Sequence, residues 1–331
     1  MRKFQKSDSS QIELKIIVIK MANKAFLVRF FSTVNVISTV ISMLLLRTIA
    51  NYNICKLLLT ILAFQYLTGW LLLELLAYNG NFSRFTKIPL SRRLFFSSLL
   101  FLQDYIETYI IVETSVGMVQ FSKSLGAVTL FIYDYLFKSK KRNTLKLPFL
   151  LLFVFGTFIA AFTEIEFSFF NLGTIIFACF LSAYTNNYAS DLAIECSVSG
   201  TQITLSILPF QFIFSIISSI LFESNPDNGF YSYQFGLVSV VLIICSSFTS
   251  VWSILSHYSV IIETSPLNFE FLGAFKTIFT LLLLYIIPGF DKLTTVQYMM
   301  QIVGCTIAMI AYGLYMKSEN QVLLDSNGMQ F

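Results

Sequence analysis

Lys123 and Lys276 each fall inside an apolar stretch long enough to cross a bilayer, and each holds a similar place in its own half of the chain. An ammonium at the centre of a membrane helix costs about 2.5 to 3.5 kcal/mol on insertion scales, so a retained pair signals use. The economical use is a charged cavity at mid-membrane that holds an anion and hands it across. Helical spacing supplies companions: Val116, Gln120, Lys123 and Ala127 share one face, and Phe269, Gly273, Lys276 and Thr280 another, with Thr277 beside them. Each face offers a cation, a neutral hydrogen-bonding group and room for a ligand. A diphosphate suits such surroundings, because ammonium-to-phosphate contacts are among the stronger hydrogen bonds. Asp104, Glu107, Glu270 and Glu74 offer the lysines a structural use instead, as ion-pair partners. Tyr184, Asn186 and Asn187 suit recognition of a base or sugar, or else hydrogen bonding between helices.

Other chemistries lack their residues. The five cysteines, Cys55, Cys179, Cys196, Cys245 and Cys305, show no C-x-x-C spacing, and His257 is the single histidine. It is read as a solvated or capping residue at a helix end near the cytosol. No G-x-x-x-x-G-K-[ST] run is present. The expectation is therefore no enzyme, no metal and no cofactor, with transport not driven by ATP on this chain.

The elements that must position the lysines follow from composition. A chain with 56% hydrophobic and 12% charged residues and a mean hydropathy of +0.74 reads as an all-α polytopic membrane protein. At about 20 residues per crossing, ten helices are expected, near 26–46, 55–77, 93–112, 115–137, 146–163, 170–190, 201–222, 234–256, 267–287 and 296–316. Basic residues gather at the N-terminus, at 84–93, at 138–146 and at Lys317, which places both termini in the cytosol by the positive-inside rule. The net charge of +4 lies in these short connections and indicates no nucleic-acid partner. The N-terminal segment shows no cleavable-signal pattern, so the first helix is expected to act as an uncleaved anchor.

The pattern also repeats. Thr114-Ser115 opens the fourth helix and Thr264-Ser265 the ninth, and both helices carry a Gly-Ala pair, Gly126-Ala127 and Gly273-Ala274. The expected domains are a cytosolic segment 1–25, two five-helix repeats 26–163 and 164–316 inserted with opposite orientation, and a cytosolic tail 317–331.

Thr264-Ser265-Pro266, followed by Leu272 through Thr277, resembles the ninth-helix signature of the triose-phosphate translocator and nucleotide-sugar transporter family, in the drug/metabolite transporter superfamily. Ser115-Val116-Gly117, Gln120, Ser122 and Lys123 are similar to its fourth helix, and the stretch from Gly156 to Gly173 to its fifth and sixth. The chain departs from the family's pattern at Leu46-Arg47, Thr108 and Ala274, which marks a divergent member. Thr277 stands where phosphate-ester carriers of plastids have arginine, a departure that resembles the Lys-Thr branch. That resemblance implies Lys123 and Lys276 on phosphate with Thr277 beside them. It further implies exchange of a cytosolic UDP- or GDP-sugar for lumenal nucleoside monophosphate across a Golgi or endoplasmic reticulum membrane. Two other functions stay open at this point: a translocator of phosphorylated C3–C6 sugars in a plastid-type membrane, and a receptor or scaffold that transports nothing. Partners would be the small anionic substrates and membrane lipid, and the small residues on several helices would serve a homodimer or the internal bundle.

Overall fold

A computed structural model describes residues 26–46, 48–49, 57–84, 86–113, 116–137, 147–161, 169–224, 236–286 and 295–328. Among these residues the chain is all-helical and carries no strand. The helices are α1 (Phe26–Leu46), α2 (Leu58–Tyr78), α3 (Leu90–Glu113), α4 (Val116–Phe137), α5 (Leu147–Ala161), α6 (Phe169–Cys196), α7 (Gly200–Phe222), α8 (Leu237–Glu263), α9 (Pro266–Ile286) and α10 (Thr295–Gly328). Four of them, α1, α2, α7 and α8, are long and apolar enough by themselves to cross a membrane.

Helix ends follow local chemistry. The Ser199 hydroxyl accepts from the Gln202 amide while the Gln202 side chain accepts from the Ser199 amide, a capping box that starts α7. Ser265 Oγ accepts from the Asn268 amide at 3.2 Å, and Pro266 at the first helical position gives up an amide that has no helical partner there. Three helices outrun the lengths expected from hydropathy: α6 continues to Cys196, α8 to Glu263 and α10 to Gly328. A helical hydrogen-bond ladder continues through polar residues, whereas an apolar-run reading stops at them.

The bundle is apolar outside, and its polar side chains turn inward among the apolar core. In α7, Ile213, Ile216, Ile217 and Ile220 are exposed while Thr204, Ser206, Gln211 and Ser215 are buried. The same inversion holds for α2, with Phe64, Leu71 and Leu75 outward and Thr60 and Gln65 inward. Water on that surface would disfavour it, and lipid favours it, because a bilayer offers exposed apolar side chains no penalty and exposed polar ones no partner.

Packing pairs the two halves. α5 lies along α10, α2 along α7 and α4 along α9; α2 also packs on α8, as α7 does on α3, and α3 touches α4 as α8 touches α9. Hydrogen bonds repeat the pattern: Asn35 of α1 donates to the Ser253 carbonyl and Ser256 hydroxyl of α8, and Thr185 of α6 donates to Gln103 of α3. The α5–α10 crossing is closest, since a Cβ on Gly156 would lie 2.6 Å from the Ala308 amide nitrogen and one on Gly304 would meet the backbone of Gly156 and Ala160. Small residues on both helices permit that approach and the dispersion contacts it brings. At one end of the bundle Glu223, just past α7, accepts from the Leu59 amide at 2.5 Å, the Thr60 amide at 2.9 Å and the Thr60 hydroxyl at 2.6 Å, which satisfies the otherwise orphaned first turn of α2 with an anion.

Candidate functional site

Where α1, α2, α3, α6, α8 and α9 converge, they leave a cavity of about 150 Å³. Its ionisable lining comprises Tyr66 from α2, Asp104 and Glu107 from α3, His257 from α8, and Glu270 and Lys276 from α9. α9 presents Phe269, Gly273 and Lys276 to it at successive turns. Lys276 is 4% exposed, with Nζ 4.5 Å from the centroid of the Phe269 ring, so the π face cradles the cation. A Cβ at Gly273 would meet nothing within 4 Å, which leaves space beside the lysine.

A hydrogen-bonded arc holds the other groups. Glu270 Oε1 accepts from Asn186 Nδ2 at 2.7 Å, and Asn186 Oδ1 faces His257 Nε2 at 3.0 Å. The His257 ring lies 4.1 Å from that of Phe269, so α6, α8 and α9 are joined around the lysine. Glu270 also rests against α4 at Gly126, where a Cβ would stand 2.9 Å from Oε2. On the α3 wall, Asp104 Oδ2 accepts from Tyr66 OH at 2.7 Å and Gln211 Nε2 at 3.3 Å, and Glu107 Oε1 accepts from Gln103 Nε2 at 2.9 Å.

The residues singled out by sequence fall into three groups. Lys276 and Gly273 line the cavity. Tyr184 and Asn187 sit on α6 away from its lining; Tyr184 stacks on Tyr188 at 6.1 Å and meets Tyr133 edge-on at 6.4 Å, and Asn187 is buried. Gln120 and Lys123 on α4 and Thr277 on α9 have side chains outside the described residues, and Lys123 lies about one helical turn before Gly126.

Two readings need correction. His257 is no helix-end residue: α8 runs six residues beyond it, and its ring lines the cavity. Glu74 serves Arg84 at 3.0 Å rather than a lysine, because it lies in the last turn of α2 near the following connection. Sequence reasoning gave no role to Gln103, yet the signal is present: Gln103, Asp104, Glu107 and Thr108 recur at i, i+1, i+4 and i+5, one wholly polar face on a membrane helix, and all four line the cavity.

Fold and site together define a multi-pass helical membrane protein built around a polar central chamber. No protein-family model matches the chain. A curated relative, UDP-xylose transporter 3 of Arabidopsis thaliana, is 25% identical over 215 residues, covering 62% of this chain and 58% of its own length. A solved protein crystal structure superposes with a TM-score of 0.58 at 14% identity, covering 86% of this chain and 99% of that one. That second likeness concerns the fold alone.

Proposed function

We propose that the chain is a secondary-active antiporter that takes a nucleotide sugar from the cytosol in exchange for lumenal nucleoside monophosphate, in a Golgi or endoplasmic reticulum membrane with both termini cytosolic. The observation that carries it is Lys276, an ammonium 4% exposed in a chamber bounded by six helices. The similarity to a protein named as a UDP-xylose transporter supports a UDP-sugar as cargo. Phosphate oxygens would take Lys276, with Lys123 joining from α4 and Thr277 beside Lys276; Gln120, Tyr184 and Asn187 complete the proposed contacts.

The reciprocal packing of α2 with α7, α4 with α9 and α5 with α10 supports two inverted five-helix repeats, 26–163 and 164–316, with the chamber at their interface. A volume of about 150 Å³ is below the usual range of ligand pockets, about 300 to 1,000 Å³, so a whole nucleotide sugar enters only as the halves part. Alternating access supplies that movement. A bound diphosphate offsets the ammonium groups of Lys276 and Lys123, whose charge the carboxylates bound to Tyr66, Gln103 and Asn186 do not cancel on this reading, which lets the loaded carrier reorient more readily than the empty one.

The test is uptake of labelled UDP-xylose into proteoliposomes of the purified protein, with UMP inside or absent. Internal UMP is expected to accelerate uptake several-fold, and Lys276→Ala to reduce it at least tenfold. Equal uptake into empty vesicles would refute exchange, and undiminished uptake by the lysine variant would refute the site.

A further inference from the structure

The chamber holds more anionic than cationic side chains among its described lining: Asp104, Glu107 and Glu270 against Lys276. A diphosphate cannot be drawn to the α3 wall, where two carboxylates one turn apart would repel it in a low-dielectric setting. Yet α3 turns four polar side chains, Gln103, Asp104, Glu107 and Thr108, into the space where the ligand must sit. Those carboxylates are held in place by buried neighbours: Tyr66 on Asp104, and Gln103 on Glu107, with Gln103 fixed in turn by the Thr185 hydroxyl at 2.5 Å. Beside Asp104 the Gln211 side chain, 2% exposed, donates through Nε2 while its Oε1 has no hydrogen-bond partner.

Ionised carboxylates only accept hydrogen bonds, and they accept them in number. The matching ligand surface is neutral and rich in donors, which describes the hydroxyls of a sugar ring. We propose that Asp104 and Glu107, with Tyr66 beside them, form the sugar-hydroxyl subsite of the chamber, at the α3 wall, while Lys276 on α9 marks its phosphate end. α6 lies between the two walls and packs on both. The chamber is thus asymmetric: two carboxylates at α3, against a lysine and the Asn186-bound Glu270 at α9, set the orientation of a nucleotide sugar, and a monophosphate without sugar forgoes the α3 contacts.

This inference rests on the nucleotide-sugar reading, and the experiment separates the two. Proteoliposomes of the parent protein, Asp104→Asn and Glu107→Gln are assayed for the KM of UDP-xylose and of UMP, with GDP-mannose and GMP run alongside. The KM of the nucleotide sugar is expected to rise about tenfold or more relative to that of its monophosphate, the loss of a charge-assisted bond to a hydroxyl that the monophosphate lacks. Equal changes for sugar and monophosphate would overturn the subsite and leave the carboxylates structural. No change in either would overturn it as well. If the neutral variants do not insert, Asp104→Glu and Glu107→Asp carry the test, with the ratio expected to move in the same direction. A parent protein that exchanges none of the four compounds would overturn the carrier reading, and the subsite with it.

Discussion

Lys276 shows how a membrane interior accommodates a buried lysine. Its ammonium rests over the Phe269 ring, and the arc from His257 through Asn186 to Glu270 fixes the surrounding helices without removing the lysine from the chamber lining. Asn186→Leu removes the 2.7 Å donor to Glu270 and the partner of His257 together. We expect a loss of about 1 to 3 kcal/mol, read as a lowered Tm of the protein in detergent. Gly273→Val separates function from stability. Its Cβ would meet nothing within 4 Å, so the Tm should hold while the branched side chain fills space beside Lys276 and weakens UDP-xylose binding by an order of magnitude in a thermal-shift titration. Lys276 and the α3 carboxylates were legible in the sequence because ionisable residues stand out against an apolar background, and Gly273 because it shares the lysine's helical face about one turn before it. His257 was not, since hydropathy alone ended α8 one residue before it, and the ring's neighbours, Asn186 and Phe269, lie on other helices.

Helices show the same division between what a chain writes locally and what packing adds. Ser-Pro at 265–266 and the Ser199–Gln202 box mark where α9 and α7 begin, and both signals are readable residue by residue. The partner of each helix is another matter. Gly156, Ala160, Gly304 and Ala308 are small residues four apart on α5 and α10, and only the crossing reveals that each pair opens a groove for the other's backbone. Gly156→Leu would drive a side chain into backbone that has no room to yield, and overpacking of this kind costs about 1 to 3 kcal/mol or more. The expected result is poor recovery of monodisperse protein, whereas Ile217→Leu on the exposed face of α7 should leave recovery unchanged. Size-exclusion profiles of the two variants in one detergent make the comparison.

For the whole molecule, the apolar exterior follows from a composition that no water-soluble bundle could bury, and the polar side chains turn inward because lipid offers them no partner. The positive-inside bias makes a testable statement about orientation: single cysteines placed at Asn81 and at Lys317 should be labelled by a membrane-impermeant reagent from the same, cytosolic, side. Labelling from opposite sides would break the topology on which the inverted-repeat arrangement depends. Hydropathy alone does not encode the reciprocal packing of the halves, because an apolar surface facing lipid and one facing a neighbouring helix have the same composition.

The tie between Glu223 and the first turn of α2 reaches further than the helix it caps. Three hydrogen bonds from α2 meet a single carboxylate, so the α2 and α7 ends are fastened together on that side of the membrane. Parting them sacrifices about 1 kcal/mol for each bond, while at the opposite end the tie between helices is the ion pair of Arg92 on α3 with Glu195 on α6, whose half-exposed side chains water can take up when they separate. If the chain alternates as proposed, the unloaded protein is expected to favour the arrangement open at the opposite mouth, and a solute approaching from the fastened side to meet few molecules ready to receive it. Apparent affinity falls in proportion to that small population, so one substrate should show two different half-saturation concentrations depending on the side from which it is offered.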